Sequence, residues 1–191
     1  MNFGIITSFV IGGLMLLSIL AFNMNMSAST QETTLTTITQ QKMNAIVDVL
    51  SYDLNRVGYN NNDAVVFNKP ILIGNDNEIE FQTADGNVTW VAKKTDKVSS
   101  SSNPNDYYLY RKDHTGTSKF PVTYFELIYF DKDGNVIDVN TLPYQSGIRI
   151  EVKLIIESEE PTRSNYSTGN DRYHRAVWQR TFVPNNINKP Y

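Results

Sequence analysis

The sequence contains no cysteine. Disulfides, thiolate metal sites and cysteine nucleophiles are excluded together, while the compartment stays open. Histidine is nearly absent too: His114 and His174 are the two in the chain, and they stand in no spacing that a metal site uses. Charged residues make up 19% of the chain and are missing altogether from Met1 to Gln31, so that Glu32 is the first ionisable side chain. No serine is framed as GxSxG and no glycine run could cradle a phosphate. The net charge of −3 leaves no electrostatic footprint for nucleic acid. The chain therefore offers no catalytic, cofactor-binding or metal-ligating constellation. An enzyme, a small-molecule substrate and a cofactor are not expected.

In place of charge stands a long apolar run. Ile5 to Phe22 is interrupted only by Thr7, Ser8, Gly12, Gly13 and Ser18. At a rise of 1.5 Å per residue it makes about 27 Å of helix, close to the roughly 30 Å of a bilayer's hydrocarbon. Buried helices of globular domains are usually shorter and keep one polar face. A secretory signal would carry Lys or Arg ahead of its apolar stretch and a better cleavage site than Ser27-Ala28-Ser29. Residues 1–30 are therefore expected to form a transmembrane or filament-core helix. Basic residues cannot orient it, because none precedes Lys42.

The run does not end in a loop. Asn23 to Gly58 has no proline and no glycine before Gly58, and its apolar residues recur at helical spacing: Leu35, Ile38, Ala45 with Ile46, Val49 with Leu50, Leu54 and Val57. Gly58 stands where a helix C-cap glycine belongs. The pattern predicts one helix from about Phe3 to Val57, amphipathic over residues 31–59. Leu35, Ile38, Ile46, Val49, Leu50, Leu54 and Val57 are its expected packing face against a sheet. Thr33, Thr34, Thr36, Thr37 and Thr39 are weak helix formers and predict a bend or an unwound stretch.

Residues 60–191 change to the period of strands. Glu78–Gln82 alternates, Asp85-Gly86 is a hairpin pair, and Val88–Val91 returns. Further strands are expected at Asp106–Arg111, Val122–Phe130, Val136–Val139, Ile148–Ile156 and Ala176–Val183. The class is α+β: a long N-terminal helix packed on a domain of about six to eight antiparallel strands with one core. The loops Ser99–Asp106 and Glu157–Asp171 are expected to face solvent or partners. Asp131-Lys132-Asp133-Gly134-Asn135 has its glycine too early for an EF-hand loop and reads as a hairpin turn, as Asn75–Glu78 also reads as a turn. Glu159-Glu160 reads as a solvated charge pair. Asn87-Val88-Thr89 and Asn165-Tyr166-Ser167 are sequons in form, without an assigned role. In the runs Tyr107-Tyr108-Tyr110 and Tyr124-Phe125-Tyr129-Phe130, alternate members point to opposite faces, so half of each run should fill the core.

Several local stretches, in order along nearly the whole chain, resemble bacterial type IV pilins, in particular the minor pilins and minor pseudopilins of the W and J kinds. Asp53-Leu54-Asn55-Arg56-Val57-Gly58-Tyr59 is similar to the "DLRxAGY" that ends the helix in that family. Tyr108-Leu109-Tyr110-Arg111 resembles its "LYR" strand, and Phe125 to Asn135 its "LxFxYxDxxG" hairpin. Ile148-Arg149-Ile150 with Val152-Lys153-Leu154 resembles "IRxIxVxL", and Gln179 to Asn186 the closing "TxVxPRN". The start departs from the family. Gly4 is followed by Ile5-Ile6-Thr7-Ser8-Phe9, without a basic leader and without the helix glutamate that links to a neighbour's amino terminus. Ordinary prepilin processing is therefore not expected, and the terminus would be Met1 or a near neighbour.

The resemblance implies a structural subunit of a type IV pilus-like or secretion pseudopilus filament. Such a subunit waits in the inner membrane and then joins an extracellular or periplasmic filament at the cell surface. Its partners would be copies of itself or related pilin subunits. Phe3, Ile5, Ile6, Phe9, Val10, Ile11, Leu14, Leu16, Leu17, Ile19, Leu20 and Phe22 would carry assembly, with Gly12 and Gly13 allowing close helix approach. The alternative is a single-pass membrane-anchored extracytoplasmic binding domain that does not polymerise.

Overall fold

The computed structural model describes residues 3–60, 67, 69–138, 148–162 and 171–184. One helix, α1 (Phe3–Asn55), runs through the apolar and the amphipathic segments without a break. It is closed by Gly58, which sits at φ 72° and donates its N–H to the Gln82 carbonyl at 3.0 Å. A left-handed residue at this point is the cap that glycine supplies without a Cβ penalty.

The threonine stretch does not unwind: helix continues through it. Thr33, Thr34, Thr36, Thr37 and Thr39 each donate their hydroxyl to the carbonyl four residues back, at 2.8–2.9 Å. Back-bonding satisfies each hydroxyl on its own helix, so the polar groups do not compete for the backbone of another conformation.

Eight strands form two antiparallel sheets among the described residues. β1 (Ile71–Gly74), β2 (Glu78–Thr83), β3 (Gly86–Lys97), β4 (Tyr107–Asp113) and β5 (Gly116–Val122) lie side by side in sequence order. β6 (Tyr124–Phe130), β7 (Arg149–Glu157) and β8 (Arg175–Phe182) make the second sheet, again in order. The β2–β3 hairpin turns at Ala84-Asp85, with Thr83 paired to Gly86. Two expectations are corrected, and one further strand appears. Val122–Phe130 is not one strand: Val122 ends β5 and Tyr124 begins β6 in the other sheet. Gly116–Val122 is itself a strand, hidden by polar residues and by Pro121, which an edge strand tolerates. Val136 makes a single bridge to Phe130, whose strand pairs along its length with β7; Val139 lies outside the described residues.

The Asp131–Asn135 turn is held by Asp131, whose carboxylate accepts the N–H groups of Asp133 (2.9 Å) and Asn135 (2.8 Å) and the Asn135 side-chain amide (3.0 Å). Those bonds, the Asn135 side chain first, hold the Asp131 carboxyl below its ordinary pKa. Gly134 sits at φ +92°, where an added Cβ would meet the Arg149 guanidinium at 3.2 Å. Gly134→Ala is expected to lower stability by about 1–2 kcal/mol, read as a fall in the urea midpoint.

One core lies under α1 and spans both sheets. Met43, Ile46, Leu50 and Leu54 of α1, followed by Val57, meet Ile79, Phe81, Trp90 and Leu109 of the first sheet and Phe125, Ile150, Val152 and Leu154 of the second. α1 lies mainly along β7 and β8. The face is not quite the one expected. Leu35 and Val49 are half-buried and Ile38 is 42% exposed, while Thr39 and Met43 are buried. Full burial against the domain starts at Thr39 and follows 39, 43, 46, 50, 54, so Ile38 falls one residue out of phase.

A polar clamp fixes the end of α1. Asp53, buried to 1% exposure, accepts Arg111 Nε at 2.6 Å, Arg111 Nη2 at 3.0 Å and Trp90 Nε1 at 2.8 Å. Arg111 also reaches Asp113 at 2.5 Å. The hydrogen bond to Asp53 above all holds the guanidinium charged.

Asp113 is in turn held well below the usual carboxylate range, first by the Thr115 hydroxyl and further by the Thr115 N–H and Arg111. A carboxyl with a depressed folded-state pKa contributes stability above its unfolded value of 3.8, and that stability fades as the pH falls below it. Urea midpoints taken from pH 7 down to pH 3 should therefore fall less steeply in Asp113→Asn than in the wild type.

Candidate assembly surface and the polar junction beside it

The proposed assembly residues come together on one surface because nothing in the domain covers them. Every residue from Phe3 to Thr34 is exposed, Phe3 at 77% and Phe9 at 83%. The most apolar 18-residue window has a mean hydropathy of 2.4 and no part of it is buried. By length and composition, α1 can cross a membrane.

The polar interruptions make no outside demand. Thr7, Ser8 and Ser18 turn their hydroxyls onto the carbonyls of Phe3, Gly4 and Leu14 at 2.8–2.9 Å. Backbone and hydroxyls are thus satisfied within the helix, as an apolar surrounding requires. At Gly12 and Gly13 an added Cβ would meet nothing within 4 Å, so the notch they leave is open to another surface.

Where α1 approaches the domain, its residues 23–42 face residues 157–160 across a groove of about 670 Å³. The far end is closed by an ion pair, Lys42 to Glu159 at 2.5 Å, both side chains about one third exposed. Glu159 is thus not the freely solvated group expected of Glu159-Glu160; it ties this segment to α1. Glu157 beside it is 7% exposed, accepting from Asn103 Nδ2 at 2.8 Å and Arg175 Nε at 2.7 Å. Strand alternation points Glu157 outward with Arg149, Glu151 and Lys153, so pattern gives no hint of its burial. The loop 99–106 folds over the end of β7, and a tertiary cover of that kind has no local signal.

That loop is anchored rather than free. Asp106 accepts from the Ser101 hydroxyl at 2.6 Å and the Thr123 hydroxyl at 2.9 Å, and Ser102 bonds the Glu159 carbonyl at 2.6 Å. Burial raises the Asp106 pKa, partly offset by those two hydroxyls. His174 faces Thr36 of α1 at 3.3 Å. A polar cleft of about 850 Å³ opens between Glu32 and residues 171–175.

The aromatic runs divide by face. Tyr107 and Leu109 are buried, and the Tyr107 hydroxyl accepts the Phe125 N–H at 2.9 Å. Burial pushes the Tyr107 phenol up to about 12 and raises that of Tyr129 further. On the other face of β4, Tyr108 is half-buried and Tyr110 is buried. Of the sequons, Asn87 is exposed at the start of β3 with its amide bonded to Glu80, and Asn165 lies outside the described residues. Compared with known proteins, the chain matches no protein family, no curated protein and no solved structure.

Proposed function

We propose that the chain is a structural subunit of a type IV pilus-like or secretion pseudopilus filament, held in the membrane by α1 until it assembles through that helix. The observation that carries this reading is a helix exposed on every side from Phe3 to Thr34 and joined without a break to a domain whose core takes in the helix only from Met43 onward. Such a surface cannot remain in water. Buried against copies of itself at roughly 25 cal/mol per Å², it would gain on the order of 20–30 kcal/mol before ordering costs. Lipid suits the same surface, so transfer from bilayer to filament changes its surroundings little.

The stretches that resemble pilin sequences lie in or beside regular elements of the fold. Asp53 to Tyr59 ends the helix, Tyr108 to Arg111 lies in β4, and Phe125 to Asn135 spans β6 and its turn. Arg149 to Leu154 lies in β7, and Gln179 to Phe182 closes β8. Head-to-tail contacts between identical subunits that do not close make a helical fibre.

The test is electron microscopy of material sheared from the cells that make the protein, with mass spectrometry of the filaments. The chain should be recovered in a regular filament, and its observed N-terminus would show whether Gly4 is cut. If it stays wholly with membranes, the non-polymerising anchored domain replaces this reading.

A further inference from the structure

The loop 99–106 is tied to the rest of the molecule through a carboxyl held by hydroxyls alone. Asp106 is 3% exposed, and its two oxygens accept the Ser101 hydroxyl at 2.6 Å and the Thr123 hydroxyl at 2.9 Å. Thr123 in turn accepts the Glu157 N–H at 3.1 Å, so one hydroxyl joins Asp106 to the end of β7. The cations around it are engaged elsewhere. Lys97 at the end of β3 donates to the Pro104 carbonyl, Arg175 of β8 pairs with Glu157, and Lys42 of α1 pairs with Glu159. His174 faces Thr36. Among the described residues, Asp106 therefore has no cation of its own and lies beside two further carboxylates.

Ser101 has one hydroxyl proton and two acceptors in reach. Its oxygen lies 2.6 Å from Asp106 Oδ2 and 3.4 Å from the Glu159 carbonyl, and it accepts the Asn103 N–H at 3.1 Å. While Asp106 is charged, the short bond claims that proton, and the Glu159 carbonyl depends on the Ser102 N–H and hydroxyl. A proton on Asp106 reverses the short bond. The carboxyl then donates to the remaining lone pair of Ser101, whose own proton is released to the Glu159 carbonyl. The other Asp106 oxygen keeps Thr123, and a hydroxyl rotation is enough.

We propose that Asp106 is a proton-operated latch: mild acid locks the loop 99–106 onto the segment 157–160, and so tightens the junction that this segment makes with α1 through Lys42. Burial first, with the charges of Glu157 and Glu159 adding to it, raises the Asp106 pKa above the ordinary 3.8, against the pull of the two hydroxyls. With the folded-state pKa raised, the tightening is complete below 3.8 and is lost as the pH rises through the folded value.

The experiment follows amide hydrogen exchange of the full chain by NMR, in uncharged detergent, at pH 7 and pH 4. The readout is protection of the Ser102 N–H, which bonds the Glu159 carbonyl at 3.0 Å, relative to that of Ile150 in the central strand β7. Each is corrected for its intrinsic rate. In wild type this ratio should rise roughly fivefold on going to pH 4, the worth of one added hydrogen bond. Asp106→Asn brings an amide that donates to Ser101 as the protonated acid would, so its ratio should be high already at pH 7 and stay there. Ser101→Ala keeps the carboxyl and breaks the relay, and should show no rise. Glu160→Gln removes a neighbouring exposed charge and should respond as wild type does. The proposal is overturned if wild type shows no rise, or if either Asp106→Asn or Ser101→Ala rises as wild type does, which would place the effect on Glu157, Glu159 or His174.

Discussion

Asp53→Ala is expected to destabilise the folded domain by about 3 kcal/mol, a large share of a typical total of roughly 5–15 kcal/mol. The effect comes less from the lost bonds than from what is left behind. Arg111, with its side chain 15% exposed, would lose two bonds and its buried counter-charge, keeping only Asp113, and the Trp90 indole N–H would have no acceptor in the core. An unpaired buried donor forfeits its hydration without return, at about 1–3 kcal/mol. Asp53→Asn keeps one acceptor and should cost less than the alanine. If the loss is mainly the stranded arginine, Asp53→Leu combined with Arg111→Leu should cost less than the sum of the two single changes. Urea titration followed by tryptophan fluorescence gives all of these numbers. A loss under about 0.5 kcal/mol in Asp53→Ala would mean that Arg111 finds full compensation in Asp113 and water.

Asp53 also shows where sequence reading stops. Helical spacing marked Ile46, Leu50, Leu54 and Val57, and all four are buried, because an apolar stripe at period 3.6 has one way to leave water. The β2–β3 hairpin, β4, β7 and β8 were legible for the same kind of reason at period 2. A buried aspartate is invisible to either period, since its place depends on Arg111, fifty-eight residues further on. The break at Thr123 was hidden because β5 and β6 are both strand-like and only the switch between sheets separates them. Thr39 took an inside position that pattern gave to Ile38, which follows from the point at which the domain first buries α1. For the candidate surface the balance is reversed: an uncharged run of this length is plain in the sequence, and its exposure follows from a core that the rest of the chain fills alone.

Leu14→Glu is expected to lower incorporation into filaments about 100-fold, while the protein stays in the membrane fraction and its domain stays folded. The three readouts separate because Leu14 serves only the exposed half of α1. It is 60% exposed and far along the helix from Thr39, where burial begins, so the urea midpoint should not move. A single carboxylate at mid-helix costs about 2.5–3.5 kcal/mol of insertion, which the remaining apolar residues of a window at mean hydropathy 2.4 can absorb. In a filament the same charge is set against the helices of neighbours that carry it too, where it can neither snorkel to water nor find a counter-ion, and 1.4 kcal/mol is a factor of ten for each contact. An anchor that never polymerises would show no such gap between insertion and function. It would also tolerate replacement of residues 3–22 by an unrelated apolar helix, whereas assembly through the open notch at Gly12 and Gly13 would not, because a leucine surface keeps the hydrophobicity and loses the close approach. Reading filament yield, membrane fraction and urea midpoint on both variants therefore distinguishes a helix that is recognised from one that is merely greasy.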